Sequence, residues 1–374
     1  MGKLDLLIKD FNKTHKDNIA FVGVQRETVL RLPFSSPRAN YMLYGGLPQG
    51  RIIEFAGAEG SGKTTTALDI VANAQKLFKE EWENKIYEIQ NSKVKSADAD
   101  IKALINDGPR KIIYVDSENT LDVDWATKLG VDVDSIYLLR PQEQNAEEIF
   151  DMVLDMIRTG EAGLVVIDSI ATLVPKAIYE ESMEKSSYCG IAKSLTRFCN
   201  MVTPLLHKHR TTLIAINQVR EDINNQWNEF VTPGGKGFKH HCSVRLMFQK
   251  GSFIDENGTE LKRSAETPVG NIVMMSIVKT KICSPDRRTG SYTLKYATGI
   301  DTLGDIIDTG IRYGLIIQAG GWFSLANTIT GEVLMDSENK AIKLQGRVTL
   351  QNYLLGNITV LEDIKTFLKS AVEG

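Results

Sequence analysis

The chain has 374 residues, enough for one large core with an appendage, and the composition of an ordinary globular protein. A formal net charge of −3 excludes a generally basic nucleic-acid binder, so any anion-binding surface must be local. The four cysteines, Cys189, Cys199, Cys242 and Cys283, show no C-x-x-C spacing, which argues against a structural zinc site or a disulfide framework and fits a reducing cytosol. No apolar run approaches a membrane span, and the N-terminus lacks the apolar stretch of a signal peptide.

Leu4, Leu7, Ile8 and Phe11 recur at helical spacing between charged residues, which predicts a short amphipathic helix. A candidate strand follows at residues 19–22. So small a unit cannot bury its own apolar stripe, and it is expected to lie on the chain's own core or on a neighbouring subunit. Residues 45–50 form a Gly- and Pro-containing turn cluster that feeds an apolar strand. That strand runs into Gly57-Ala58-Glu59-Gly60-Ser61-Gly62-Lys63-Thr64, and a helix is expected from residues 64–66 onward.

Phosphate binding needs these residue types in this order. Glycines let backbone N–H groups approach oxygen closely, and the helix N-terminus adds its dipole and unpaired N–H groups. Lys63 places a point charge on the β- and γ-phosphates, and the Thr64 hydroxyl can ligate Mg²⁺.

A polar stretch at 80–107 reads as helical and surface-exposed, with no chemistry assigned. Lys111–Asp116, Ile136–Leu139, residues 164–168 and residues 212–217 are short, continuous apolar runs, as expected of strands covered on both faces. Helical patterns at 146–157 and 191–206 separate them. This alternation predicts a mostly parallel sheet with helices on both sides and ligands at the carboxyl ends of the strands. From Ser243 the rhythm changes. Runs at 244–248, 271–281 and 292–296 are separated by turns, which predicts an antiparallel extension of the sheet. A helix at 305–313, the Gly320-Gly321-Trp322-Phe323 segment and a helical tail at 360–372 read as a small C-terminal α/β domain. The domain bounds expected are 1–32, 33–302 and 303–374.

Asp168 ends an apolar strand downstream of the phosphate loop, where a carboxylate can hold a Mg²⁺ shell; capping the turn at 170–173 is the plainer role. Glu118, two residues past a strand end, could accept a proton from an attacking water, with Asp116 as competitor. Gln218, just past the run at 212–217, could sense a γ-phosphate through its amide without titrating. The long loop at 219–239 sets Trp227 and Phe230 among basic residues, a composition that suits single-stranded nucleic acid, although Glu221, Asp222 and Glu229 weigh against it.

Taken together, residues 45–54 with Glu59, Ser61 and Gly62, then Asp116-Ser117-Glu118 with Leu121-Asp122, then Ile216-Asn217-Gln218-Val219-Arg220, resemble the RecA recombinase family. So do Gly234-Gly235, Ser243-Val244-Arg245-Leu246, residues 277–282, and Asp308-Thr309-Gly310 through Trp322, all in collinear order. The resemblance implies a RecA-like P-loop core with a short N-terminal helix-strand oligomerisation segment. It implies ATP and Mg²⁺ as cofactors, with single-stranded DNA and homologous duplex as partners, self-assembly into a helical filament, and a cytoplasmic role in recombination and repair alongside loading or mediator proteins.

Residue by residue, Gly57, Ala58, Glu59, Gly60, Ser61, Gly62, Lys63, Thr64 and Thr65 would hold the nucleotide. Asp122 and Trp125 would lie at its base, and Thr64 and Asp168 at the metal. Glu118 would be the catalytic base and Gln218 the link to the DNA loop. Lys279 and Lys281 would reach a neighbouring subunit's phosphates, acting as an arginine finger does. The DNA loops would fall at 181–190 and 222–235, with Arg220, Trp227, Gly234, Gly235 and Lys236 on the DNA. The insertion at 80–107, the unusual first loop, and His240 and His241 mark a divergent member, of the kind a phage or other mobile element carries. Two rivals share the core: a ring helicase, and a non-catalytic filament module that binds nucleotide as a structural ligand.

Overall fold

The computed structural model describes residues 2–15, 20, 28–91, 97–180, 190–221, 230–256, 258–262, 264–336 and 338–373, with backbone only at 15, 97–100, 220–221 and 230–231. It divides into two units, residues 1–30 and residues 31–374. The first contains helix α1, Lys3–His15, as expected from its periodicity. Its Leu4, Leu7 and Phe11 side chains are exposed, and Asn12 exchanges two hydrogen bonds with the Ala20 backbone. Of the strand expected at 19–22, residues 19, 21 and 22 lie outside the described residues.

The second unit is built on a ten-stranded sheet. Its strands are β1 (Ile52–Gly57), β2 (Lys111–Asp116), β3 (Ile136–Leu139), β4 (Ala162–Asp168), β5 (Thr212–Gln218), β6 (Val244–Ile254), β7 (Gly270–Thr280), β8 (Thr289–Lys295) and β9 (Gly299–Ile300). The order is β9-β8-β7-β6-β1-β5-β4-β2-β3, with the two-residue strand Glu260–Leu261 beside β6. From β3 through β6 the pairs are parallel; from β6 through β9 they are antiparallel. This is the predicted parallel core with its antiparallel extension. Strand β6 runs past Phe248 to Ile254, because its second half pairs with β7 after the apolar run has ended.

Strand alternation sorts the two faces. Ile53 and Phe55 face α2 (Lys63–Gln90) in one core cluster with Ala67, Leu68, Ile70 and Val71. Ile52 faces the other way, into a cluster with Ile149, Val153, Phe198, Val202 and Phe238 from α3 (Ala146–Arg158), α4 (Ala192–His209) and α5 (Gly235–His241). Helix α3 starts where it does because Asn145 and Glu148 cap each other's backbone N–H groups at 3.1 and 2.9 Å, a device worth about 1 kcal/mol. Helix α2 runs on to Gln90, and a further helix, Ala97–Asp107, packs on it with Trp82 donating to the Leu104 carbonyl at 2.8 Å. The expected helical insertion is therefore a helix pair, apart from residues 92–96, which lie outside the described set.

The tail forms a three-stranded antiparallel sheet, Ile316–Ala319, Trp322–Leu325 and Leu344–Gln345, with helices Thr302–Arg312, Arg347–Gly356 and Ile358–Glu373. These elements share a core of their own around Ile307, Leu325, Leu350 and Leu368. Arg287 fastens the last helix to the rest of the unit. Its guanidinium lies 3.8 Å over the Tyr44 ring and donates to the Val372 carbonyl at 2.6 Å.

Candidate nucleotide site

The carboxyl ends of β1, β2, β4 and β5 meet at one edge of the sheet. Gly57 is level with Gln218, and Asp116 is level with Asp168. The phosphate loop leaves β1 there. A Cβ at Gly57 would stand 2.6 Å from the Phe248 carbonyl oxygen, and Gly62 has φ of 96°, so the loop's path depends on glycine at both. Gly62 opens α2, so the helix N-terminus faces the loop. Lys63 is buried, and its ammonium donates to the Gly57 and Ala58 carbonyls at 2.8 and 2.7 Å. Burial pulls its pKa down, while the Asp168, Glu118 and Glu59 carboxylates pull it up.

Thr64 and Asp168 are brought together, the hydroxyl donating to Oδ2 at 2.8 Å. Tyr114, one turn of the pleat before Asp116, donates to the same oxygen at 3.0 Å. Burial drives the Asp168 carboxyl upward. The two hydroxyl donors oppose that shift, and the charges of Glu118 and Asp116 add to it. A hydroxyl and a carboxylate in contact, within a surplus of negative charge, form a hard-oxygen set that fits Mg²⁺. The Tyr114 hydroxyl has a pKa well above its ordinary value, first through burial, so it stays a donor.

Glu118 lies beside this pair. Its Oε1 accepts from the Ser169 hydroxyl at 2.7 Å and from the Gln218 amide at 3.1 Å. Asp116 is engaged otherwise. Its buried carboxylate accepts from the Thr120 and Leu121 N–H groups and from Arg140 Nε at 3.0, 3.2 and 3.2 Å, which fixes the loop that carries Glu118. The geometry thus separates the two acidic candidates, one holding the loop and one facing the phosphate edge. Tyr114, Ser169 and Arg140 were not singled out from the sequence.

Asp122 caps a short helix, Val123–Lys128, accepting from the Trp125 N–H at 2.9 Å. The Trp125 ring is half-buried against the core, and its indole N–H donates to Thr65 Oγ1 at 3.3 Å, so it stands beside the phosphate-loop helix. Gly234 and Gly235 both take positive φ at the start of α5, and Lys236 is exposed. Trp227 and residues 181–189 lie outside the described residues, as does the Arg220 side chain. Lys279 and Lys281 are not brought to this chain's phosphate loop. Lys279 is level with Arg245, which is level with Glu54 near the start of β1, at the opposite end of the sheet strands. Their ammonium groups donate to the Lys239 and His240 carbonyls at the end of α5, at 2.6–3.0 Å.

Comparison with known proteins agrees with this arrangement. The family described as the RecA N-terminal domain matches residues 7–81 and 85–301. Protein RecA of Mycobacteroides abscessus is 33% identical over 371 residues, covering 98% of this chain and 91% of that protein. Protein RecA of Mycolicibacterium smegmatis is 33% identical over 98% of this chain and 90% of its own length. Protein RecA of Streptomyces venezuelae is 31% identical over 87% of this chain and 72% of its own length. With the phosphate loop, the Asp168–Thr64 pair and the Glu118–Gln218 contact in one place, the chain belongs to the RecA family of recombinases.

Proposed function

We propose that the chain is an ATP- and Mg²⁺-dependent DNA recombinase that polymerises on single-stranded DNA, pairs it with homologous duplex and exchanges strands, in the cytoplasm. One observation carries this reading. Gln218 bonds Glu118 at the phosphate edge and is also the last residue of the strand that leads into the loop at 222–235. A group that faces the γ-phosphate is therefore covalently continuous with the candidate DNA-binding loop.

The backbone of residues 57–64 cradles the β- and γ-phosphates, and Lys63 exchanges its carbonyl partners for phosphate oxygens. Thr64 and Asp168 would hold Mg²⁺, which would offset charge on the triphosphate. Among the described residues both bonds to Glu118 fall on Oε1, so Oε2 is the oxygen that accepts the proton of the attacking water. Trp125 and Asp122 bound the adenine side. Lys279 and Lys281, from a neighbouring copy, close over the phosphates, so that hydrolysis depends on assembly. Loss of the γ-phosphate frees Gln218 and lets the loop relax. The bounds 1–32, 33–302 and 303–374 are the natural division of labour: assembly, nucleotide and DNA, and an accessory domain.

The test combines phosphate release, measured with and without single-stranded DNA, and electron microscopy with a slowly hydrolysed ATP analogue. DNA-stimulated hydrolysis and open helical filaments are expected. Closed hexamers would replace this reading with a ring helicase, and DNA-independent filaments without hydrolysis would replace it with a structural nucleotide module.

A further inference from the structure

A second polar cluster lies on the other face of the same strands. Glu54 on β1, Asn217 on β5 and Arg245 on β6 point away from α2, into a face otherwise packed with the apolar side chains of α3, α4 and α5. Glu54 is fully buried. Its Oε1 accepts from the Asn217 amide at 2.8 Å, and its Oε2 accepts from Arg245 Nε. Both donors reach further. The Asn217 amide donates to the Pro233 carbonyl at 2.9 Å, and Arg245 Nη2 donates to the Thr232 hydroxyl at 3.3 Å. Residues 232 and 233 are the last before Gly234 opens α5, and so form the trailing foot of the candidate DNA loop. The leading foot is Gln218, adjacent to Asn217 and bonded to Glu118.

We propose that Glu54 is a positioning residue that couples nucleotide state to the DNA loop, by locking the loop's trailing foot to the strand end that carries Gln218. A shift of Gln218 on γ-phosphate loss moves Asn217 with it, since they share a backbone. Asn217 moves the Pro233 carbonyl directly, and Glu54 with Arg245 extends the lock to Thr232. Packing does not require this arrangement, because a buried ion pair is commonly no more stabilising than an apolar pair of the same volume. Among the described residues the hydrogen bonds of the Glu54 carboxylate go to Asn217 and Arg245, and it acts through them. The inference rests on the reading of residues 222–235 as a DNA-binding loop.

Two variants of the full chain test it. Glu54→Gln keeps shape and an acceptor but removes the charge that orders Arg245. Arg245→Lys keeps the buried charges paired but loses the planar fork that spans Glu54 and Thr232. The quantity read is a ratio at fixed salt: the dissociation constant for a labelled oligothymidine with ADP, divided by that with a slowly hydrolysed ATP analogue. Affinity for a fluorescent ATP analogue and the melting temperature are measured alongside. The ratio is expected to fall about tenfold in both variants, with nucleotide affinity within about twofold of the unsubstituted chain. A merely structural role would weaken both DNA affinities together and leave the ratio unchanged, which overturns the proposal. Should Glu54→Gln fail to fold, Arg245→Lys decides the matter by the same ratio. If the unsubstituted chain binds DNA equally with either nucleotide, or not at all, the reading of the loop itself fails and the lock falls with it. An unchanged ratio in folded variants of a chain that does respond to nucleotide sinks the lock alone.

Discussion

The Glu118 carboxylate is anchored through one of its two oxygens. Ser169 and Gln218 both donate to Oε1, and that fixes the plane of the carboxylate and the direction in which Oε2 faces. Glu118→Gln keeps an oxygen that can accept from Ser169 but removes the proton acceptor. The expected outcome is a loss of about 10²–10⁴-fold in phosphate release, with nucleotide affinity retained and filaments that persist because ATP is not consumed. Stopped-flow phosphate release beside fluorescent-nucleotide binding checks it; ordinary turnover in the variant would remove Glu118 from the role of base. The residues legible in the sequence are those whose chemistry dictates both type and spacing: Gly57, Gly62, Lys63 and Thr64 within one loop, and Asp168 at a strand end. Tyr114 and Arg140 are not legible, because the Tyr114 contact depends on the register of β2 against β4 and the Arg140 contact on the pairing of β2 with β3. That register is a tertiary property which no local pattern carries. Asn217, Glu54 and Arg245 carry a family likeness in the sequence but not their pairing, since a polar residue within an apolar strand reveals its partner only once the strands are ordered.

Helix α2 is the element on which the nucleotide edge and the N-terminal part of the second unit both depend. Its Asp69 is fully buried and accepts from the Ser35 N–H at 3.0 Å and from the Ser35 hydroxyl and Asn73 amide, tying the segment before Pro37 to the phosphate-loop helix. Burial pushes its carboxyl up from 3.8 to about 6, and the Ser35 bonds, the Lys76 charge and Asn73 only partly offset that. Between those values the folded chain keeps a proton that the unfolded chain has released. The stabilisation from that proton is full below about pH 4 and is lost as pH rises to about 6, a contribution on the order of 3 kcal/mol. Asp69→Asn carries no such loss. The melting temperature of the native chain minus that of Asp69→Asn should therefore fall between about pH 4 and 6 and stay flat above. A difference that is constant across this range, read by calorimetry, would mean that Asp69 does not hold the proton. The element pattern was legible from apolar periodicity, and the ends were less so. Helix α2 and strand β6 both outrun their apolar runs, because a helix partner at Leu104 and a strand partner in β7 continue to support them.

At the scale of the molecule, the two ends of the sheet have different duties. The phosphate loop, Asp168, Glu118 and Gln218 occupy the carboxyl edge of the parallel strands, while Lys279 is level with Glu54 and Lys281 lies two residues further from that edge. Gly57 lies three residues beyond Glu54 along β1, and at roughly 3.3 Å per residue the lysines are about 10 Å or more from their own phosphate loop along the strand direction. If they act on ATP, it is another chain's ATP, and a mixture of two inactive variants tests this. Glu118→Gln supplies intact lysines but a dead carboxylate, whereas a chain with Lys279→Ala and Lys281→Ala supplies an intact carboxylate but no lysines. In a randomly mixed head-to-tail polymer at equal amounts, about one interface in four pairs the intact carboxylate of one chain with the intact lysines of the next. Hydrolysis should therefore return to about a quarter of the native rate per chain, although neither variant turns over alone. The double lysine variant must first be shown to melt normally, because those ammonium groups also hold the carbonyl end of α5. Normal melting with no recovery on mixing would confine the lysines to that capping role and leave the catalytic site within a single chain.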